Sequence, residues 1–314
     1  MNNKKIVIAG GAGFMGEALA EYYGLENEVV ILTRQEKPHS QYARYVKWDG
    51  EHLTSWYREL DKADLLINLA GKSVNCRYNE RNKAEIFSSR VNSTRVLGEA
   101  IKRLSNPPAL WINAASATIY RHAEDRPMDE RNGDIGTGFS VEVCKLWEKT
   151  FYEQETPHTR KVALRTAIVL GPKGGALMPM LNLVKFALGG RQGSGHQMFS
   201  WVHIEDFCRL AKWLYETPEA QGTYNCSAPQ PVTNETFMRT LRQAAGRRIG
   251  LPAPEWLLRM GAVMIGTEIE LIIKSRWVIP ARLVQEGFRF RHAQLRPALE
   301  DILSELPRRR YHLF

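Results

Sequence analysis

Lys5-Ile6-Val7-Ile8-Ala9-Gly10-Gly11-Ala12-Gly13-Phe14-Met15-Gly16 decides the fold. A short β-branched run leads into three spaced glycines, and the helical pattern Gly16–Tyr23 follows them. In that setting Gly10 permits a tight turn, Gly13 lets backbone approach a pyrophosphate, and Gly16 lets the helix pack close to its strand. The first helical amides lack intrahelical acceptors and carry a partial positive charge, so Phe14 and Met15 belong to the same anion cradle. The stretch therefore predicts dinucleotide binding.

Outward from this turn, short apolar runs alternate with helical segments as far as Gly171. The expected strands are Lys5–Ala9, Glu28–Leu32, Leu65–Leu69, Ala109–Ala114 and Lys161–Leu170. Arg90–Leu104 and Ser140–Tyr152 read as further helices. In the first of these Val91, Thr94, Leu97, Ile101 and Leu104 recur at intervals of three and four. This alternation predicts an α/β fold with a doubly wound parallel sheet. After Gly171 the texture changes to Gly- and Pro-rich loops, followed by short helices over Asn234–Ala245, Ala253–Ile265 and Thr267–Lys274. The expected division is residues 1–171 as the nucleotide-binding domain and 172–314 as a small C-terminal cap, with segments near 200–228 returning to the first domain.

Composition narrows the classes. The 314 residues are 44% hydrophobic and 25% charged, which excludes disordered and fibrous chains. Cys76, Cys144, Cys208 and Cys226 form no C-x-x-C pair, and no apolar run approaches a membrane span or a signal h-region, so a cytoplasmic protein is expected. The net charge of +9 is concentrated after Cys226. Basic patches interleaved with aromatics are absent, so no nucleic acid or membrane partner is expected. No metal site is expected either, since neither H-E-x-x-H nor a cysteine cluster occurs.

The second expected strand ends Ile31-Leu-Thr33-Arg34. An acid there would bind the ribose 2′-hydroxyl of NAD, whereas a guanidinium pairs with a 2′-phosphate, so NADP(H) is favoured.

With these landmarks the sequence resembles the extended short-chain dehydrogenases/reductases, the nucleotide-sugar-epimerase-like form of the Rossmann fold. The resemblance is carried by Gly10–Gly16, Asn68-Leu-Ala-Gly71, Ser116-Ala-Thr-Ile-Tyr120, Arg165-Thr-Ala-Ile-Val-Leu-Gly-Pro172 and Trp201-Val-His-Ile-Glu-Asp206. More narrowly, Gly189-Gly-Arg-Gln-Gly-Ser-Gly195, Ser200-Trp-Val-His-Ile204, Pro231-Val-Thr-Asn234 and Val278-Ile-Pro-Ala-Arg-Leu283 resemble the YfcH-like "epimerase family" branch. The resemblance implies that Thr33 and Arg34 meet the adenosine phosphate and that Asn68, Leu69, Ala70 and Gly71 line the ribose side. It also implies cofactor contacts from Glu85, Arg90 and Val169. A monomer or homodimer, and a small polar or nucleotide-sugar-like substrate, are implied with it.

Family members use a Tyr-x-x-x-Lys pair whose spacing puts both side chains on one helix face. The lysine lowers the phenol's pKa, so that the tyrosine exchanges a proton with substrate. Here the segment is Ser140-Val-Glu-Val-Cys-Lys-Leu-Trp-Glu148. If Lys145 is the family lysine, the tyrosine position is Val141; if Glu148 sets the register, the pair is Ser140 and Cys144. Neither supplies a phenol. Ser116 matches the substrate-orienting serine, and Ser116 with Lys145 is the expected catalytic pair. Tyr120, Glu142, Cys144 and His203 are further candidates, each with an ordinary packing or capping alternative. Arg191, Arg276 and Arg282 are candidates for a cationic substrate pocket. Two functions stay open: an NADP(H)-dependent oxidoreductase or epimerase, or a non-catalytic NADP(H)-binding sensor or scaffold, which names within the branch link to cell division.

Overall fold

The computed structural model describes residues 1–312; Leu313 and Phe314, the last residues of the expected cap, lie outside the described residues. The chain opens with β1 (Lys5–Ala9), α1 (Phe14–Tyr23), β2 (Glu28–Thr33), β3 (Arg44–Lys47) and β4 (Leu65–Asn68). It continues through α2 (Glu80–Lys102), β5 (Leu110–Ser116), α3 (Phe139–Tyr152) and β6 (Arg160–Thr166). Then come β7 (Ile168–Gly171), β8 (Gly174–Gly175), α4 (Leu177–Lys185), β9 (Met198–Phe199), β10 (Trp201–His203), α5 (Ile204–Glu216) and β11 (Gly222–Cys226). The last elements are β12 (Val232–Thr233), α6 (Asn234–Ala244), α7 (Glu255–Ile265), α8 (Glu270–Ile273), α9 (Ala281–Gln285) and α10 (Leu295–Ser304).

Seven strands form one sheet in the order β11-β6-β5-β4-β1-β2-β3, every pairing parallel. The strand order reverses between β1 and β4, where a doubly wound sheet opens a crevice at its carboxyl edge. Successive side chains of a strand point to opposite faces, and the core divides accordingly. Ile6 and Ile8 of β1 pack with α1 and α5, while Val7 and Ala9 pack with α2 and Phe151 of α3. All four are fully buried. Each buried Val or Ile contributes roughly 1.5–3 kcal/mol. Burial on both faces explains why these strands read as unbroken apolar runs.

The structure departs from the expected elements where partners are distant. Lys161–Leu170 is two strands, because the Ala167 amide donates to Cys226 O (3.0 Å) while the Ile168 amide turns to Ser200 O (3.2 Å). β6 stays in the main sheet and β7 joins β10 and β8 in a second one. The edge strand β3 is polar and half-exposed, and β11 begins with glycine, so neither shows an apolar run. α2 starts ten residues earlier than the expected Arg90, at an Asn79 side chain that accepts from the Asn82 amide (2.8 Å). Only Glu270–Ile273 of the expected Thr267–Lys274 helix is helical. α4, α6 and α10 share a separate core around Leu181, Phe237, Leu241 and Leu299. Among the described residues no helix is long and apolar enough to cross a membrane.

Candidate functional site

The turn between β1 and α1 is built by close backbone approaches. Gly10 has φ +70°, and a Cβ there would lie 2.5 Å from Ala70 Cα, so the turn nests against the one that follows β4. A Cβ on Gly16 would sit 2.1 Å from the Gly11 carbonyl oxygen. Gly13 is different: a Cβ there meets nothing within 4 Å. Gly13 caps α1 without a side-chain hydrogen bond, and the first helical bond runs from the Glu17 amide to Gly13 O (2.9 Å). The amides of Phe14, Met15 and Gly16 are thus left pointing into the space before Gly13. The side chains of Phe14 and Met15 pack against the core, so what these two residues offer an anion is backbone.

A cleft of about 670 Å³ opens from this turn, lined by Gly10, Ala12, Thr33, Arg34, Ala70, Gly71, Lys72 and Glu85, with Trp48 and Asp49 at its outer wall. Thr33 is buried and its hydroxyl accepts from the Gln35 amide (3.3 Å), which fixes the loop carrying Arg34. Arg34 is exposed and makes no hydrogen bond or ion pair among the described residues. Lys72 bonds Asn82 Oδ1 (2.9 Å) and pairs with Glu85, which Arg81 also holds at 2.8 Å. The Lys72 hydrogen bond, then the Arg81 one, lowers the Glu85 carboxyl to about 2. Trp48, Asp49 and Lys72 went unread in the sequence; the first two follow β3, whose polar pattern hid the strand. A larger depression of about 840 Å³, lined by Asn3, Lys5, Glu26, Arg58 and Asp64 among others, lies at the amino ends of the strands. Ligands of such sheets bind at the carboxyl ends, so the cleft beside Gly10 is the candidate site.

Asn68, Leu69, Arg90 and Val169, implied as cofactor contacts, do not line the cleft. Asn68 is fully buried; its amide nitrogen donates to Asn113 Oδ1 (2.7 Å) and Thr94 Oγ1 (3.3 Å), and its oxygen accepts from the Ala70 amide (3.0 Å). It shapes the turn. Leu69 packs on the core, and Val169 is buried in β7 beside Val202. Arg90 lies behind Gly71, its guanidinium 3.1 Å from where a Gly71 Cβ would be.

α3 settles the register that the sequence left open. Its inward stripe contains Val141, Cys144, Trp147, Glu148 and Phe151. Glu148 receives Arg165 in a bidentate pair at 2.8 and 2.7 Å, both side chains about one-tenth exposed. Lys145 turns outward to Glu142 (2.9 Å), with half of its side chain exposed. The expectation of Lys145 as a catalytic residue is therefore corrected: one residue of helix is a 100° rotation, and it faces solvent. Val141 is fully buried in a cluster with Ala117, Tyr120 and Val278. Cys144, 4% exposed, lies in the same cluster, and half-buried Ser140 donates its hydroxyl to Glu270 Oε2 (3.3 Å). Burial, reinforced by Glu148, raises the Cys144 thiol to about 11, while Arg90, Lys274 and the nearby Ser116 hydroxyl pull it down.

Ser116 closes β5, and its hydroxyl accepts from the Thr118 amide (3.2 Å). Tyr120 is 2% exposed; its hydroxyl donates to Asn225 Oδ1 (2.9 Å) and accepts from Arg165 Nη1 (2.9 Å). It is a packing group, and burial raises its pKa. Of the three candidate pocket arginines, Arg191 bonds Ser194 O (2.8 Å) in an exposed loop. Arg282 pairs with Glu286 and lies over the Tyr224 ring (3.9 Å). Only Arg276 reaches the Ser116 side, through Thr118 Oγ1 (3.3 Å).

His203, His292 and Asp301 come together as a possible ligand set for a metal ion. The Glu205 amide donates to His203 Nδ1 (3.1 Å), so the neutral ring carries its proton on Nε2, which faces Asp301 at 3.4 Å. A metal ligand there needs the opposite tautomer. The ring instead caps α5 and stacks on His292 with centroids 3.7 Å apart.

Comparisons agree with this geometry. Residues 6–227 match the NAD dependent epimerase/dehydratase family, and residues 253–302 match a domain of unknown function, DUF1731. The chain is 32% identical over 302 residues to the epimerase family protein YfhF of Bacillus subtilis, covering 96% of this chain and 98% of that one. It is 30% identical over 304 residues to human epimerase family protein SDR39U1, covering 96% and 100%. The crystal structure of human SDR39U1 with NADPH superposes with a TM-score of 0.83 at 29% identity, covering 96% and 99%. A nucleoside-diphosphate sugar epimerase from Corynebacterium glutamicum gives 0.75 at 28% identity, covering 96% of this chain and 58% of that one. The glycine turn, the seven-stranded parallel sheet and these matches together make the chain a member of the NAD-dependent epimerase/dehydratase family, with an extended short-chain dehydrogenase/reductase fold.

Proposed function

We propose that this protein binds NADP(H) in the cleft beside Gly10 and uses it in oxidoreductase or epimerase-like chemistry on a small polar substrate. The observation that carries the reading is the open space at Gly13, at the start of α1, next to a cleft lined by Gly10, Ala12 and Arg34, which has no partner among the described residues. The amides suit a diphosphate, and the guanidinium suits a 2′-phosphate through paired charge-assisted bonds. The NADPH in the human relative's crystal supports the same choice.

When bound, the cofactor supplies a hydride donor or acceptor. The chain's own part is to orient and polarise. Ser116 stands at the carboxyl end of β5 to hold a substrate oxygen, and Cys144 keeps its proton at neutral pH because its pKa is about 11. Titration of the purified chain with NADPH and NADH in a calorimeter tests the cofactor. NADPH consumption across carbonyl and nucleotide-sugar panels, with Ser116→Ala as control, tests the chemistry. Preference for NADH, or a turnover indifferent to Ser116→Ala, overturns the corresponding half.

A second reading, a sensor or scaffold that binds NADP(H) without turnover, is favoured by one specific observation. On α3, Lys145 turns outward to Glu142 and Val141 is fully buried, so those two positions offer no phenol–ammonium pair. NADPH binding with no consumption on any panel supports that reading.

A further inference from the structure

Around Thr118, two residues beyond Ser116, the protein gathers cations that it does not neutralise. Arg276 is 9% exposed; its Nε donates to Thr118 Oγ1 (3.3 Å), and its Nη1 to the carbonyls of Leu271 and Lys274 (both 3.4 Å). Lys274, half-buried, donates Nζ to Thr118 O (2.9 Å). Neither has a carboxylate within 4 Å among the described residues. Glu270, which acts on Lys274 and Arg276 at longer range, accepts from Ser140 instead. Lys274 and Arg276 both close on Thr118, so the two charges share one place.

Buried charge costs free energy unless it is paired. Elsewhere this chain obeys that rule: Arg165 meets Glu148, while Arg160 and Lys161 sit on the terminal carbonyls of α5 and α3, whose partial negative charge compensates them. α8 is a single turn and offers Arg276 little of that kind. Were Lys274 and Arg276 needed only to tie the cap to Thr118, neutral donors would serve at lower cost. Desolvation, and for Lys274 the neighbouring Arg276, pushes their pKa values down, while Glu270 acts against this.

We propose that Arg276 and Lys274 bind a carboxylate of the substrate beside the carbon presented to Ser116, so that the substrate is a small organic acid. This rests on the reading of the cleft as the NADP(H) site. A nucleotide diphosphate does not suit the place, because a whole sugar ring separates it from the reacting carbon, whereas these cations touch the segment next to Ser116.

The probe is malonate, with neutral malonamide as control, titrated calorimetrically into the full chain with and without saturating NADP⁺. Saturable malonate binding and no malonamide binding are expected. Lys274→Gln keeps a donor for Thr118 O and removes the charge; it should weaken malonate about tenfold or more, with NADPH affinity unchanged. Arg276→Met should do the same, its fold checked by thermal unfolding. Equal binding of malonate and malonamide, no malonate binding, or wild-type malonate affinity in Lys274→Gln overturns the acid subsite. Loss of NADPH binding by the unmodified chain instead overturns the cofactor reading, so the two failures are separable.

Discussion

Gly13 and Gly16 stand three residues apart in one turn, yet their substitution by valine should fail in opposite ways. At Gly13 the backbone is extended (φ −109°, ψ −176°), a region that β-branched residues occupy freely, and the added Cβ meets nothing within 4 Å. The cost to folding is that of a poor N-cap residue, about 1 kcal/mol, which in a chain of this size lowers Tm by about 2–4 °C. The two added methyls then fill the space where phosphate oxygens meet the amides of α1. Losing two hydrogen bonds to a charged group is worth about 3–6 kcal/mol, or roughly 10²–10⁴ in affinity.

At Gly16 the arithmetic reverses. A Cβ would lie 2.1 Å from Gly11 O, 2.3 Å from Gly11 Cα and 2.5 Å from Gly11 C, all backbone atoms that cannot swing aside. Separating α1 from the turn costs more than the usual 1–3 kcal/mol of an overpacked core, so Gly16→Val should unfold cooperatively at much lower temperature or fail to accumulate. The assay is paired: thermal unfolding by circular dichroism, and NADPH titration by calorimetry. A Gly13→Val protein that binds NADPH normally would refute the assignment of the open space to a diphosphate. A Gly13→Val protein as unstable as Gly16→Val would refute the packing argument.

Arg34→Asp should weaken NADPH by about 2–4 kcal/mol and leave NADH nearly unchanged, since only the 2′-phosphate distinguishes them; equal losses in parallel titrations would contradict the assignment. Tyr120→Phe should cost about 1–2 kcal/mol of stability in denaturant unfolding, because Asn225 and Arg165 each lose a partner, while any turnover is retained. Burial, and then the stacked His292, lower the His203 pKa to about 4, so the folded state holds the neutral ring. Stability should therefore be full above about pH 6.5 and fall by up to about 3 kcal/mol as pH drops towards 4, and His203→Gln should flatten that segment of the Tm–pH curve.

The nucleotide end of the site was legible because its information is local. Glycine spacing, a strand before it and a helix after it sit within twenty residues, and Arg34 follows at the end of the next strand. The α3 register was not legible, since the stripe that turns Cys144 inward and the one that would turn Lys145 inward differ by a single residue in a 3.6-residue period. Arg165, on a different strand, decides it by claiming Glu148. The strand break at Ala167 is likewise set by Cys226 O and Ser200 O, acceptors that lie far along the chain. Lys274 and Arg276 reach Thr118 across more than 150 residues of sequence, so Arg276 looked no different from Arg191 or Arg282 until the chain was folded.

The placement of positive charge bears on how the proposed chemistry runs without a tyrosine–lysine pair on α3. In a tyrosine–lysine site the cation rises from the same helix as the phenol, and its work is to favour negative charge on an oxygen beside it. Here Lys145 of α3 faces solvent, while the cations beside Ser116 arrive from the segment after α8 through Lys274 and Arg276. An electrostatic field does not depend on which element carries its source, and a low-dielectric site lengthens its reach. In the proposed reading, electrostatic polarisation of an oxygen held by Ser116 does not call for a tyrosine–lysine pair, and what such a site lacks is the dedicated proton donor. Neutralising Lys274 then discriminates between the two functional readings: an enzyme that relies on this field loses turnover on carboxylate and neutral substrates alike, whereas a sensor loses only its affinity for acids.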